Sequence, residues 1–187
     1  MAKITELPTG EPFDRMPLSA LIEEAASPHR NFGVSIGVTL PPDRGPEPVG
    51  ARNPAIRYGL GNLIENAVDF AHRRVEIFAN WTDDEVSITI SDDGPGFAPE
   101  VVDRIGAPYV THRQPGPRGP DDEADAVFGL GLGFFIAKTL LERSGAKLAL
   151  TNQAPPLHGA TISVTWSWSD FERPLASPPL EPATQAP

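Results

Sequence analysis

The sequence predicts an α+β two-layer sandwich, with three main helices on one face of a mixed sheet. Three observations predict it. Segments of helical period and segments of strand period interleave along the chain. Two of the strand-like segments are separated only by Thr82-Asp83-Asp84, which makes them a hairpin and breaks the alternation that a fully parallel sheet requires. A length of 187 residues with 40% hydrophobic content is enough for one substantial core.

Proline divides the chain into its parts. The 22 prolines crowd the N-terminal quarter, 108–120 and 174–187, zones that read as linkers or loops. The expected organisation is a linker remnant over 1–17, a folded domain over 18–169 with a long loop at 106–127, and a proline-rich tail over 170–187. The tail holds too little apolar content to fold alone and is expected to be disordered. Within the domain, Leu18–Ala26 suggests a short helix, and 31–40 alternates Phe32, Val34, Ile36 and Val38 like a half-buried strand. Asn53 is placed to cap a long helix, with Pro54 at its first position and Ile56, Leu60, Ile64, Ala67 and Ala71 at helical spacing. Arg74–Trp81 and Glu85–Asp92 form the hairpin, and 99–105 suggests another short helix. An amphipathic helix over 132–144 ends at Gly145, followed by strands at Lys147–Asn152 and 161–168.

The formal net charge is -10, which argues against nonspecific affinity for nucleic acid or anionic lipid. Any polyanionic ligand must be held locally. With no cysteine, disulfides and thiolate metal sites are excluded, and a reducing cytoplasm fits. The first 17 residues lack the basic flank and apolar run of a secretion signal, and no later stretch approaches ~20 apolar residues, so a soluble chain without direct membrane contact is expected.

Four motifs carry chemistry. On the long helix, Asn62, Glu65, Asn66 and Asp69 fall on one polar strip, where two carboxamides can present oxygens to one hydrated cation. Asp92-Asp93-Gly94-Pro95-Gly96-Phe97 follows a strand; an aspartate there can accept from an adenine amino group while Gly94 and Gly96 let backbone approach a flat base. Gly129-Leu130-Gly131-Leu132-Gly133 enters a helix, exposing N–H groups at the positive end of its dipole to a triphosphate. It is neither the dinucleotide fingerprint nor a Walker loop, since Phe134 and Ala137 stand where those need glycine. Between these, 106–127 has the length of a lid and carries Tyr109, Thr111, His112 and Arg113. Each alone has a plainer reading: a solvated helix face, an Asp-Gly turn, a lone glycine-rich loop, a surface loop.

Together and in this order, the four resemble the N, G1, lid and G2 boxes of the ATPase superfamily that unites gyrase, the heat-shock chaperone, the histidine kinases and MutL. Gly159-Ala160-Thr161 resembles its last, smaller glycine box. Asn62, Leu63, Asn66, Ala67 and Phe70 match the histidine-kinase form of the N box, and 65–71 resembles the redox-responsive RegB/PrrB kinases of photosynthetic proteobacteria. In the gyrase-like hydrolases a water-activating glutamate stands where this chain has Asn62. A neutral amide cannot take a proton from water as a carboxylate does, so efficient ATP hydrolysis is not expected.

The resemblance implies an ATP-binding catalytic domain of the histidine-kinase ATPase fold. It implies Mg ligated by Asn66 with Asn62, adenine read by Asp92, and phosphates held by Gly129, Gly131 and Gly133. The remaining binding positions it suggests are Asp69, Phe70, Gly94, Gly96, Tyr109, Thr111, Arg113, Leu130, Leu132 and Thr161. Glu65 has two readings, a carboxylate orienting water or the incoming histidine, and a solvated helix glutamate. The implied reaction is γ-phosphoryl transfer to a histidine. His29, His72, His112 and His158 all lack the acidic neighbour of the family's phosphoacceptor, so the histidine is expected on a dimerisation domain of the same parent, upstream of Met1. A response regulator downstream and a parent in the bacterial inner membrane are further implications. Two departures stand out. Asp69 occupies a position where many relatives carry a basic residue, leaving Arg73, Arg113 or Lys138 to supply a cation, and only Tyr109 remains of the aromatic box before the lid. The rival readings are a serine kinase of the anti-sigma type and an ATP-dependent interaction module that transfers no phosphate.

Overall fold

The computed structural model describes residues 15–30, 33–42, 45–97 and 131–173. In chain order the elements are β1 (Arg15–Pro17), α1 (Leu18–Ala26), a 3-10 turn (Ser27–His29), β2 (Ser35–Thr39), β3 (Val49–Ala51) and α2 (Pro54–Phe70). They continue with β4 (Arg74–Trp81), β5 (Glu85–Asp92), α3 (Gly131–Arg143), β6 (Lys147–Asn152), β7 (Ala160–Ser167) and α4 (Trp168–Glu172).

The main sheet has the order β2-β4-β5-β7-β6. Its β2–β4 pair is parallel and the other three are antiparallel, so it is mixed, as the hairpin requires. Strict alternation gives each central strand one apolar face. Val75, Ile77 and Ala79 of β4, Val86, Ile88 and Ile90 of β5, and Ile162, Val164 and Trp166 of β7 are all buried. On that face lie the buried stripes of α1 (Leu18, Leu21, Ile22), α2 (Leu60, Leu63, Ile64) and α3 (Phe134, Ala137, Leu141). The opposite face is polar, with hydroxyl pairs Thr89–Ser163 at 3.2 Å and Ser91–Thr161 at 3.0 Å and an exposed Phe78. This is the two-layer sandwich expected from the sequence. Among the described residues, no helix is long and apolar enough to cross a membrane.

The long helix starts where the capping signal put it. The Asn53 side chain accepts from the Ala55 N–H at 2.9 Å, and Pro54 fills the first position, where no N–H is needed. Its neighbour α3 runs antiparallel and very close, because a Cβ at Gly59 would come within 2.6 Å of the Leu141 side chain.

The boundaries differ from those expected. Arg15–Pro17, assigned to a linker remnant, pairs with Val49–Ala51 in a small antiparallel sheet. Residues 170–172, assigned to the tail, belong to α4, which runs to Glu172 and is capped by Ser167, whose hydroxyl accepts from the Asp170 N–H at 3.2 Å; the rest of the expected tail beyond Arg173 lies outside the described residues. Phe171 explains the difference: it is buried, meets Trp166 edge-on at 5.9 Å and lies against Gly50, where a Cβ would sit 2.8 Å from its ring. A five-residue helix and three-residue strands are too short for periodicity to reveal. The strand expected over 31–40 is confined to Ser35–Thr39 among the described residues, and the helix expected at 99–105 lies outside them.

Candidate functional site

Asp92 ends β5 on the buried side of the sheet and is only 6% exposed. Its Oδ1 accepts from the Gly94 N–H at 2.8 Å and the Ala160 N–H at 3.2 Å, which leaves Oδ2 unclaimed by other described residues. Burial pushes the carboxyl up from the ordinary carboxylate range, against the pull of those two N–H groups; the charge of Asp93 pushes the same way as burial. Asp93, one residue on, points the other way. Its Oδ1 accepts from the His72, Arg73 and Arg74 N–H groups at 2.9, 3.0 and 3.1 Å, tying the end of α2 to the turn. Partial burial raises that carboxyl, but the three backbone donors outweigh it and hold the pKa below the ordinary value.

Close approach accounts for the glycine at 94, and close approach together with a φ of 80° for the one at 96. A Cβ at Gly94 would fall 2.2 Å from the Phe70 carbonyl oxygen, and one at Gly96 would fall 2.8 Å from the Asn152 Oδ1. At both positions it is the Cβ direction that faces protein.

The second half of the site lies one to two turns back along α2. The Asn62 Nδ2 donates to the Tyr58 carbonyl at 2.9 Å, which leaves Oδ1 as that side chain's available acceptor. The Asn66 Nδ2 is buried and has no hydrogen-bond partner among the described residues. Both carboxamides border the first turn of α3: a Cβ at Gly133 would lie 3.8 Å from the Asn62 Oδ1 and 4.0 Å from the Asn66 Nδ2. Among the described residues the helix runs from Gly131, one residue before the position expected, and Gly131 and Gly133 lie in its first described turn. Since Gly94 packs on Phe70, the Asp92 turn and Asn62 are separated by about 12 Å along α2, eight residues at the helical rise.

The structure thus brings together Asn62, Asn66, Phe70, Asp92, Gly94 and Gly133 along one side of α2, while Gly96 lies against Asn152 and Gly159. Glu65 and Asp69 are exposed on the same helix, and Leu132 is exposed beside Gly133. Thr161 does not join them. In a strand, neighbours face opposite ways, so with Ala160 turned to Asp92 the Thr161 hydroxyl points to the outer face and pairs with Ser91. Among the cation candidates, Arg73 is exposed, Lys138 pairs with Glu142 at 3.1 Å, and Arg113 lies outside the described residues. Tyr109, Thr111, Gly129, Leu130 and the whole of 106–127 also lie outside them. Sequence reasoning named Ala160 only within the last glycine box and passed over Asn152 and Gln153 as site residues, yet all three contact the Asp92–Phe97 turn. Two amide side chains closing a strand just before a glycine turn were the available signal.

Residues 52–169 match the family model for histidine kinase-, DNA gyrase B-, and HSP90-like ATPases. The sensor histidine kinase RegB of Cereibacter sphaeroides is 44% identical over 162 residues, 80% of this chain and 35% of the relative. The sensor histidine kinase CpxA of Escherichia coli K12 is 32% identical over 126 residues, 67% of this chain and 25% of the relative. The chain therefore spans about a third or less of the length of these relatives. Among solved structures, the mycobacterial sensor histidine kinase MprB aligns with a TM-score of 0.61 at 19% identity, covering 82% of this chain and 97% of that one. Full-length ShkA in complex with AMPPNP also aligns at 0.61, with 22% identity over 88% of this chain and 32% of that one. At such identities these two likenesses speak to the fold.

Proposed function

Because the chain belongs to the histidine kinase-, DNA gyrase B-, and HSP90-like ATPase family, we propose that it is the Mg-ATP-binding catalytic domain of a sensor histidine kinase of the RegB type. The observation that carries this reading is the meeting of Asn62 and Asn66 with Gly133 at the start of α3, with one buried amide left unpartnered there. A buried polar group without a partner costs about 1–3 kcal/mol, which a ligand can offset.

The residues fit a magnesium triphosphate. Asn62 and Asn66 supply the neutral, hard carboxamide oxygens that magnesium accepts when phosphate oxygens and waters fill its remaining positions. When bound, magnesium neutralises charge on the phosphates. The first-turn N–H groups of α3 donate to phosphate oxygens, favoured by the helix dipole. At the other end of α2, the Asp92 Oδ2 accepts from the 6-amino group of adenine. Asn62 lacks the basicity to deprotonate water, which preserves the bound nucleotide for transfer. In that transfer the terminal P–O bond breaks, ADP leaves with the bonding pair, and the lone pair of a histidine ring nitrogen forms the new P–N bond. The domain contributes positioning and charge stabilisation. The histidine belongs to a dimerisation domain of the parent protein, a membrane-bound sensor, and a response regulator receives the phosphoryl group. This reading draws support from the RegB and CpxA similarity.

The test mixes the 187-residue chain with Mg-ATP and a histidine-bearing helical hairpin of a RegB-type kinase. Acid-labile phosphate on the hairpin is expected. Acid-stable phosphate on a protein substrate would instead indicate a serine kinase, and nucleotide binding with no transfer would leave an interaction module.

A further inference from the structure

The end of β6 carries two amide side chains whose hydrogen bonds converge on Asp92 through the main chain. The Asn152 Nδ2 donates to the Phe97 carbonyl at 2.7 Å, and its Oδ1 accepts from the Phe97 N–H at 2.7 Å, clamping the far end of the turn that Asp92 begins. The Gln153 Nε2 donates to the Asp92 main-chain carbonyl at 2.7 Å. The Gln153 N–H donates to the Gly159 carbonyl at 3.0 Å, and the next residue, Ala160, supplies one of the two donors on the Asp92 Oδ1. These two neighbours therefore hold both turns that aim the carboxylate, the one carrying Gly94 and the one carrying Ala160. The assembly has no slack. Gly159 sits at φ 125°, and a Cβ there would lie 1.8 Å from the Asp92 carbonyl oxygen and 3.1 Å from the Gln153 Nε2.

We propose that Asn152 and Gln153 are positioning residues for base recognition: they lock the 92–97 turn to the 153–160 turn and so set the direction in which Asp92 presents its free oxygen. The inference rests on Asp92 being the reader of the adenine amino group. Hydrogen bonds weaken steeply with angle, whereas apolar contact with the purine and phosphate contacts at the other end of α2 do not depend on where one carboxylate points. Loosening the clamp should therefore weaken only nucleotides that carry the 6-amino group.

The test compares ATP with inosine triphosphate, in which a carbonyl replaces that amino group, by calorimetric titration of the full chain. Gln153→Met keeps the side-chain length and removes the donor; Gln153→Lys restores a donor. Gln153→Met is expected to lower ATP affinity about fivefold to tenfold and leave inosine triphosphate affinity as it was, with Gln153→Lys recovering most of the loss. Asn152→Ala should narrow the same ratio. The amide resonances of Gly94 and Ala160 should shift in Gln153→Met and return in Gln153→Lys. A Gln153→Met variant that keeps the wild-type ATP preference, or weakens both nucleotides equally, overturns the inference. Asp92→Asn in the same assay separates the two failures: if it too keeps the preference, the assignment of Asp92 is what fails.

Discussion

Asp92→Asn separates what the fold needs at this position from what a ligand needs. The substitution keeps an oxygen where Oδ1 accepts from Gly94 and Ala160, so both backbone bonds survive. What it removes is a charge in a site that is 6% exposed. The pKa of Asp92 is raised in the folded state, burial being the largest cause. Its favourable contribution is therefore fully present below the ordinary carboxylate value of about 3.9 and is lost as pH rises through the folded-state pKa. At neutral pH the wild type bears the penalty of a buried carboxylate and the variant does not. The melting temperature of Asp92→Asn at pH 7 should then equal or exceed that of the wild type, with the difference shrinking toward pH 4. Binding should go the other way. An amide NH2 would face the adenine amino group, donor against donor, and the charge-assisted bond, worth about 1.5–3 kcal/mol, disappears. ATP affinity should fall by roughly tenfold to a hundredfold. Scanning calorimetry across pH and titration calorimetry with Mg-ATP measure the two halves. A variant that melts lower at pH 7, or that binds ATP undiminished, refutes the reasoning.

Asn66→Ala should abolish Mg-dependent ATP binding while leaving the melting temperature within a few degrees of wild type, since the amide it deletes has no partner among the described residues; thermal shift with and without Mg-ATP reads both. Asp93→Ala removes the acceptor of three backbone N–H groups and should cost about 1–3 kcal/mol in urea unfolding at pH 7. Because its folded-state pKa is lowered, that contribution is present above the unfolded value and lost as pH falls through the folded one, so wild type and variant should converge in acid. Phe171→Ala should cost about 3–5 kcal/mol, the usual effect of emptying a buried aromatic site, and a near-zero change would remove α4 from the domain.

Legibility in the sequence followed the length of the repeat. The paired strands β4 and β5 alternate over eight residues each and could be read to their ends, and Asn53-Pro54 marked the start of α2 because capping chemistry is local. The polar strip of α2, the aspartate turn and the glycine helix entry were legible as separate motifs, since each depends on a few adjacent residues. Their assembly was not. That Gly133 meets Asn62 and Asn66 depends on α3 packing antiparallel on α2, and that Gly94 meets Phe70 depends on a turn folding back over a helix end. The direction of the Thr161 side chain was hidden for a related reason: its neighbour Ala160 takes the inward position, and strand alternation then turns the Thr161 hydroxyl to the outer face. Residues that act only through the main chain of others, such as Gln153 on Asp92, leave almost no trace in one sequence.

Two adjacent aspartates show how the site can be distinguished from the scaffold by energetics alone. Asp92 is the last residue of β5 and Asp93 the first beyond it, and their side chains point opposite ways. Asp93 meets three backbone donors, and its charged form is favoured by folding, so the fold itself accounts for its being an aspartate. Asp92 meets two donors in a buried setting that disfavours its charge, and an asparagine would serve those donors equally well. Nothing among the described residues requires a carboxylate there. The unpartnered Asn66 amide poses the same problem a turn away along α2, where an apolar residue would be the more stable choice. When two groups that the fold would be better without lie at either end of one helical strip, a single bound molecule long enough to satisfy both is the economical explanation. A nucleotide has that form, with a hydrogen-bond donor on its base at one end and metal-bound phosphates at the other.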